Sequence, residues 1–397
     1  MFYLKFFNTH SEYESYIESD NVKHPNICLC NEEGDLHYDL DSAVKAMKIT
    51  SSGENDEIVI KFAYKDEEAY ANRPNFEYSY DGAAWTELEG TNFEEDKYYL
   101  YNSIIFGEGK KVFLRGNNPN GLTLKKVDED IYHLSYNTTM EFISDGVYCY
   151  GSIMNLLSHD EQLTEIPTYG CFLNLFKNCD NLLKAPELPA SGLKEYCYAY
   201  MFQGCTSLAD APALPTTSLD DGCYRYMFSG CTSLTGVPEL PAETMEVGCY
   251  RGMFADCTSL TEVPFLHSIT LQDLCYSLMF ANCTSLTVAP ELPAATMRYA
   301  CYQGMFSGCT ALIESPVLRA PILKDYCYNK MFDGCSSLNK ITMLATSVGA
   351  NDSLYEWVNG VSPSGVFNRS EELREDNIGY GISGIPLNWQ VEPPYEE

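Results

Sequence analysis

Basic residues are scarce in this chain: 25 Lys and Arg stand against 56 Asp and Glu, a formal net charge of -31 over 397 residues. Affinity for a phosphate backbone comes mainly from Lys and Arg, so the deficit excludes nucleic acid as an expected partner. It argues equally against anionic membrane surfaces. No run of about 18 apolar residues occurs, so no membrane-inserted helix is expected. The first residues, Met1-Phe-Tyr-Leu-Lys-Phe-Phe-Asn8, carry no basic stretch, no long apolar stretch and no small-residue cleavage site, and do not read as a secretory leader. Histidine is equally sparse. His10, His24, His37, His133, His159 and His267 stand in no motif, and only His267 falls well inside the regular part of the chain.

A Gly-rich phosphate loop, a Ser nucleophile elbow and EF-hand spacing are all missing. Runs such as Glu94-Glu95-Asp96 and Asp128-Glu129-Asp130 read as solvated acidic faces rather than paired catalytic carboxylates. A hydrolase needs convergent acid, base or nucleophile groups. None is visible, so the expectation is a non-enzymatic protein with no catalytic residue, no metal site and no cofactor.

Cysteine, in contrast, is abundant, and its spacing is regular. Cys171, Cys197, Cys223, Cys249, Cys275, Cys301 and Cys327 recur every 26 residues, and Cys179, Cys205, Cys231, Cys257, Cys283, Cys309 and Cys335 follow eight residues behind. Met201-Phe202 and Leu208 return in the same register, the last as Leu234, Leu260, Leu286, Leu312 and Leu338. A unit of this size cannot bury an apolar face alone, so stacked units must form a quasi-one-dimensional solenoid. Within one unit Cys223, Met227 and Cys231 are four apart, as are Tyr224 and Phe228, which predicts one face of a short helix. In the other half Leu234, Val237 and Leu240 are three apart and Pro238 and Pro241 intervene. That half therefore predicts an extended, polyproline-like strand with about three paired residues per rung. The ends are irregular: Leu157 stands where the second Cys belongs, and Leu354, Trp357, Val358 and Val361 replace the motif past Cys335, so both regions read as caps. At ~4.8 Å per stacked strand, eight units and a degenerate ninth predict a rod of roughly 40 Å.

Free cysteine behaves as a small buried hydrophobe, and spacings of 8 and 18 fit no zinc pattern. In a chain read as made in a reducing cytoplasm, the two series predict ladders of buried thiols rather than disulfides. Cys28 and Cys30 read as alternate positions on a strand rather than a metal clip.

Before the repeats, residues 43–143 alternate in short runs rich in β-branched and aromatic residues, separated by turn signals at Asp81-Gly82 and Asn117-Asn-Pro-Asn-Gly121. This predicts an antiparallel β domain, a small sandwich. Residues 1–42 form a third unit: a strand over 2–7, a short helix behind the capping-box pair Ser11 and Glu14, and a hairpin around the Glu-Glu-Gly turn. So small a unit needs support from a partner or its own copies. Phe6, Phe7, Tyr13, Tyr16 and Ile17 are its candidate assembly residues. The solenoid then occupies 144–363, with a capping tail over 364–397.

The unit Cys-Tyr-x-x-Met-Phe-x-Gly-Cys-Thr-Ser-Leu, with the closing segments Trp357-Val-Asn-Gly-Val-Ser362 and Gly384-Ile-Pro-Leu-Asn-Trp389, resembles the BspA-type leucine-rich repeats of surface proteins in gut Bacteroidetes. Tyr78-Ser-Tyr-Asp-Gly-Ala-Ala-Trp85 and Phe113-Leu-Arg-Gly-Asn-Asn118 resemble the domain that often precedes such repeats. The fold class implied is α+β: a BspA-like leucine-rich-repeat solenoid of 26-residue units behind a small β-sandwich-like domain and a short N-terminal α/β attachment module. Residues 6–39, beginning Phe6-Phe-Asn-Thr-His-Ser-Glu-Tyr, resemble a segment at the start of virion proteins in crAss-like phages of Bacteroides. That resemblance implies a head- or tail-associated fibre or appendage, assembled in the host cytoplasm. Its N-terminus docks on other virion proteins, its solenoid meets a host surface protein or glycan, and the chain forms a homo-oligomer, in the trimeric case a fibre. A bacterial cell-surface adhesin is the alternative reading, and a carbohydrate-binding lectin a further one. Binding residues are expected at outward positions that differ between rungs: Asp210, Gly236, Glu262, Val288 and Glu314.

Overall fold

The computed structural model describes residues 5–7, 28–30, 46–52, 56–64, 74–88, 92–94, 99–106, 111–125, 134–158 and 163–392. Two antiparallel sheets open this region. One runs, in spatial order, Thr123–Lys125, Leu134–Ile143, Glu57–Tyr64, Tyr99–Ile105 and Asn92–Glu94. The other contains Val147–Tyr150, Met47–Ser51, Lys111–Gly116, Phe76–Ser79 and Thr86–Glu87. Buried Met47, Ile49, Val112, Leu114 and Phe76 from the second share a core with Ile58, Ile60, Ile104, Met140 and Phe142 from the first. At the outer edge a turn holds Asp81, whose Oδ1 accepts from the Ala83 and Ala84 amides at 2.8 and 2.9 Å. Those hydrogen bonds lower its pKa to about 2. The turn delivers Trp85 onto the Arg115 guanidinium, 3.8 Å from the ring centre, and Arg115 also meets Glu77 at 2.7 Å.

The sandwich is fused to the solenoid. Val147–Tyr150 pairs antiparallel with Met47–Ser51 on one side and parallel with Leu182–Lys184 of the first repeat on the other. The Met140 amide donates to the Leu175 carbonyl, and the Cys179 thiol donates to the Met140 carbonyl at 2.9 Å. Phe142 stacks on Phe176. The long strand thus acts as an extra rung that covers the N-terminal end of the array.

The half-unit that spacing reads as a helix is a chain of overlapping β-turns. Odd-numbered amides from Cys197 to Cys205 turn back three residues, as in Cys197 to Lys194 at 3.0 Å and Met201 to Tyr198 at 3.2 Å. Even-numbered amides cross to the next rung, as in Tyr198 to Cys223 at 3.0 Å and Phe202 to Met227 at 2.9 Å. Every fourth residue has positive φ: Tyr196 at 55°, Tyr200 at 57°, Gly204 at 77°. A turn with positive φ at its third residue is type II, and it alternates here with turns of negative φ. The repeat is therefore four residues per pair of turns, not 3.6 per helical turn. The reason is spatial. Stacked rings on neighbouring rungs are 5.5 to 5.8 Å apart along the Phe176, Phe202, Phe228 and Phe254 column. An α-helix is ~10 Å across and satisfies all its own amides, so it can neither fit that spacing nor bond to the next rung. Among the described residues the one α-helix is Glu375–Ile378, in the tail.

The second half-unit carries less strand than expected. Through the middle rungs it is extended without a ladder, joined by single bridges between Thr244, Thr270 and Thr296. Pro212, Pro238, Pro264 and Pro290 fill one register there, each removing a donor. Pro316 continues that register, and the pairing of Glu314–Leu318 with Lys340–Met343 slips across it. Thr342 and Asn368 then replace Pro, and Lys340–Met343, Val366–Arg369 and Gln390–Glu392 form a regular parallel sheet. The sheet thus continues past residue 363 into the tail. Trp357, fully buried, donates to the Gly384 carbonyl at 2.9 Å, and Trp389 to the Ser362 carbonyl at 2.8 Å, which closes the C-terminal end.

Of the first 42 residues, Lys5–Phe7 and Cys28–Cys30 are described, as two strands paired in parallel with Phe6 opposite Leu29 and Phe7 opposite Cys30. The expected helix with Tyr13, Tyr16 and Ile17, and the second strand of the hairpin, lie outside the described residues. Phe254 sits mid-column between Phe228 and Phe280 with no exposure. Phe254→Ala should cost about 3–5 kcal/mol, read as a fall in the urea midpoint. A loss under about 1 kcal/mol would mean that the column does not hold the rungs.

Candidate binding surface

Each rung divides its side chains between core columns and surface columns. Inward in the turn chain point the two cysteine ladders, the Met ladder and two aromatic stacks. Tyr198, Tyr224, Tyr250, Tyr276, Tyr302 and Tyr328 stack at 5.8 to 6.2 Å, all fully buried. Every cysteine from Cys149 to Cys335 is free and buried. In the second ladder each thiol donates to a carbonyl of the preceding rung: Cys205 to Phe176 at 3.1 Å, Cys257 to Phe228 at 3.1 Å, Cys309 to Phe280 at 3.0 Å. A thiol fits here because the slot has room for one sulfur and offers an acceptor.

Burial pushes Cys171, Cys249, Cys301, Cys309 and Cys327 up to about 12, and raises Cys197, Cys223 and Cys231 as well. A thiolate is the reactive form, so these positions are chemically quiet. Among the described residues no group of three or more His, Cys, Asp or Glu is placed to hold a metal ion.

Asp210, Gly236, Glu262, Val288 and Glu314 fall in one register column, one residue per rung, on the extended half-unit. Asp210, Glu262, Val288 and Glu314 are exposed and Gly236 half-exposed. Glu314 pairs with Lys340, the next residue of the column, at 3.2 Å. Beside this column the rung of residues 261–271 breaks the pattern. Phe265 and Ile269, 65% and 69% exposed, stand where neighbouring rungs carry Glu239 and Glu243. Phe265 packs edge-on against His267 at 4.6 Å. The column and this rung make a shallow apolar and acidic surface. Among the candidate assembly residues, Phe6 and Phe7 lie on the Lys5–Phe7 strand; Tyr13, Tyr16 and Ile17 are outside the described residues.

A second variable face runs along the turn chains, and periodicity alone did not single it out. Its outward positions are the left-handed ones. Gly222, Gly248, Gly252 and Gly304 share those registers with Tyr196, Tyr200, Tyr226, Leu274, Leu278, Tyr326 and Lys330. A bulky residue in that conformation costs roughly 1–3 kcal/mol, and here it covers a glycine of the next rung: Tyr196 lies over Gly222, Tyr226 over Gly252 and Leu278 over Gly304. Tyr200 and Tyr226 stack at 5.4 Å, and Tyr169 meets Tyr196 at 5.6 Å. The signal was present in the sequence: nine residues before each second-ladder Cys the chain carries in turn Tyr196, Gly222, Gly248, Leu274, Ala300 and Tyr326. It reads as noise until the left-handed backbone is known.

The buried thiols set an alkaline limit. Their folded pKa values lie above those of the unfolded chain, so their stabilising effect is whole below pH ~8.5 and is lost as pH rises toward about 12. Urea midpoints should hold steady to pH ~8.5 and fall steeply above it, and a native chain at pH 8 should leave the ladder thiols unlabelled by a thiol-reactive dye. Prompt labelling of the ladders in the folded state would contradict this account.

A family model described as BspA type Leucine rich repeat region matches six copies, over residues 174–313 and 223–356. No curated protein and no solved structure matches the chain. The match covers the rungs in which the turn chain and both cysteine ladders are most regular, and the array of this protein is a BspA-type leucine-rich-repeat solenoid.

Proposed function

We propose that the protein is a non-enzymatic attachment scaffold whose solenoid presents a broad contact surface to a protein or glycan on a cell surface. The observation that carries this reading is the division of each rung. Core columns are nearly invariant from rung to rung, whereas the outward column of Asp210, Gly236, Glu262, Val288 and Glu314 changes residue at every step. A regular core with an irregular surface is what extended recognition uses, in place of a deep reactive pocket. BspA-type repeats fit a repeat-based binding protein of this kind.

The finer reading is a virion appendage: residues 1–42 dock on the particle as part of a homo-oligomer and the solenoid faces the host. Its support is the resemblance of residues 6–39 to virion proteins of crAss-like phages. A bacterial surface adhesin uses the same solenoid in the same way, and the repeats fit it equally.

Labelled full-length chain should bind intact Bacteroides cells saturably. The triple variant Asp210→Lys, Glu262→Lys, Glu314→Lys should lose most of that binding with its melting temperature unchanged. Undiminished binding by the variant would remove this column from the contact surface, and turnover of a surface polysaccharide would overturn the non-enzymatic reading. Light scattering separates the finer readings. The appendage predicts an oligomer for the full chain and a monomer once residues 1–42 are removed; a monomer in both cases favours the adhesin.

A further inference from the structure

On the extended half of the array, the rung of residues 261–271 exchanges charge for apolar surface. Phe265 takes the register held by Glu239 on the rung before and Glu291 on the rung after, and Ile269 takes that of Glu243 and Ala295. The registers are pinned at both ends. Thr270, next to Ile269, bridges to Thr244 and to Thr296. At the other end the Thr261 amide donates to the Thr235 carbonyl at 3.3 Å, and the Glu262 carboxylate lies against Gly236, 3.4 Å from where a Cβ would stand. Glu and Ala fill the same registers on rungs of the same fold, so the fold does not require an exposed Phe and Ile here.

A lone exposed apolar side chain is ordinary on a soluble protein. Here three stand on two consecutive rungs, because Val288, 64% exposed, follows Glu262 in its column. His267, between Phe265 and Ile269, has Pro241 and Pro293 in its own register on either side. A contiguous apolar surface of this kind marks a contact site. Its rim is acidic. Glu239, Glu243 and Glu262 form no ion pair among the described residues, and Glu291 has a single 3.8 Å contact with the Arg319 guanidinium, itself open to solvent.

We propose that this rung docks a basic protein segment in which apolar side chains are flanked by Lys or Arg. The apolar side chains pack on Phe265 and Ile269, and the cations meet the glutamates around them. A buried aromatic anchor inside a polar rim is the usual arrangement of binding energy at a protein contact, and opposite charge speeds the encounter. At ~3.1 Å per extended residue, Phe265 and Ile269 stand roughly 12 Å apart, a span that one short segment covers. Ile and Val offer a sugar hydroxyl no hydrogen bond, and the rim repels both acidic sugars and a second copy of a chain with net charge -31. This deepens the reading of the solenoid as a surface-binding scaffold and rests on it, with a protein as the partner at this rung.

Fluorescence anisotropy of the full chain with a labelled peptide of alternating Lys and Leu tests the site, beside a Lys/Ser peptide of equal charge and a Glu/Leu peptide. Saturable binding of the Lys/Leu peptide is expected, at least tenfold tighter than either control. The double variant Phe265→Glu, Ile269→Glu gives this rung the residues of the one before it. It should melt unchanged and lose at least tenfold in affinity, although it adds negative charge. Ile269→Ala, matching Ala295, is the milder variant and should cost at least threefold. Equal binding of the Lys/Ser peptide, or undiminished binding by the double variant, would mean attraction of charge alone and would overturn the proposal. A concentration-dependent dimer of the full chain that the double variant abolishes would overturn it too, with a second copy as the occupant. Cell binding separates this site from the scaffold reading. Full cell binding by the double variant removes this rung as the contact and leaves the scaffold function standing. Peptide binding as expected with no cell binding upholds the docking rung and removes the cell-surface role.

Discussion

The structure depends on the distance between rungs. Alternate amides of the turn chain must reach carbonyls of the next rung at 2.8 to 3.0 Å, as Tyr200 reaches Arg225 and Tyr198 reaches Cys223. That requirement sets the separation at which rings stack, and it rules out a helix of ordinary width. It also selects the side chains. Aromatic rings can lie parallel at this spacing, and a thiol is small enough to stand between them while donating to a carbonyl one rung back. Each core column is then a ladder in which neighbours are identical, and each pair adds ring stacking of about 0.5–1.5 kcal/mol beyond the area it buries.

A ladder of this kind has two ends whose donors and acceptors have no further rung. The sandwich resolves one end by offering Leu134–Ile143 and Val147–Tyr150 as substitutes for a repeat, with Phe142 standing in for the missing ring. The other is resolved by Trp357 and Trp389, whose ring nitrogens bond to backbone carbonyls of the closing segment. Solenoids generally need such capping units, and here both caps are continuous with the core they protect. The same geometry leaves two outward faces whose residues do not affect the ladders. That freedom is what allows Asp, Gly, Glu and Val to follow one another in one column, and Tyr, Gly and Leu in another.

The 26-residue period, both cysteine columns, the aromatic columns and the irregular ends were legible in the sequence, because each is a statement about identity at fixed spacing. The conformation of the turn half was not. A spacing of four suits a helix as well as a pair of turns, and Tyr196, Tyr200 and Tyr226 give no outward sign of a left-handed backbone. The strand half was read correctly as extended but too generously as a ladder, because the proline register that limits pairing also limits it to bridges. The column from Asp210 to Glu314 could be picked out as variable.

The central claim is that odd amides close turns within a rung while even amides hold neighbouring rungs together. Residue-resolved amide hydrogen exchange on the full chain tests it most directly. Slow and matched exchange of Tyr198, Tyr200 and Phe202 with Cys197 and Met201 is the predicted result. Fast exchange of the even amides beside slow odd ones would mean that the rungs do not stack as described, and the account would fail.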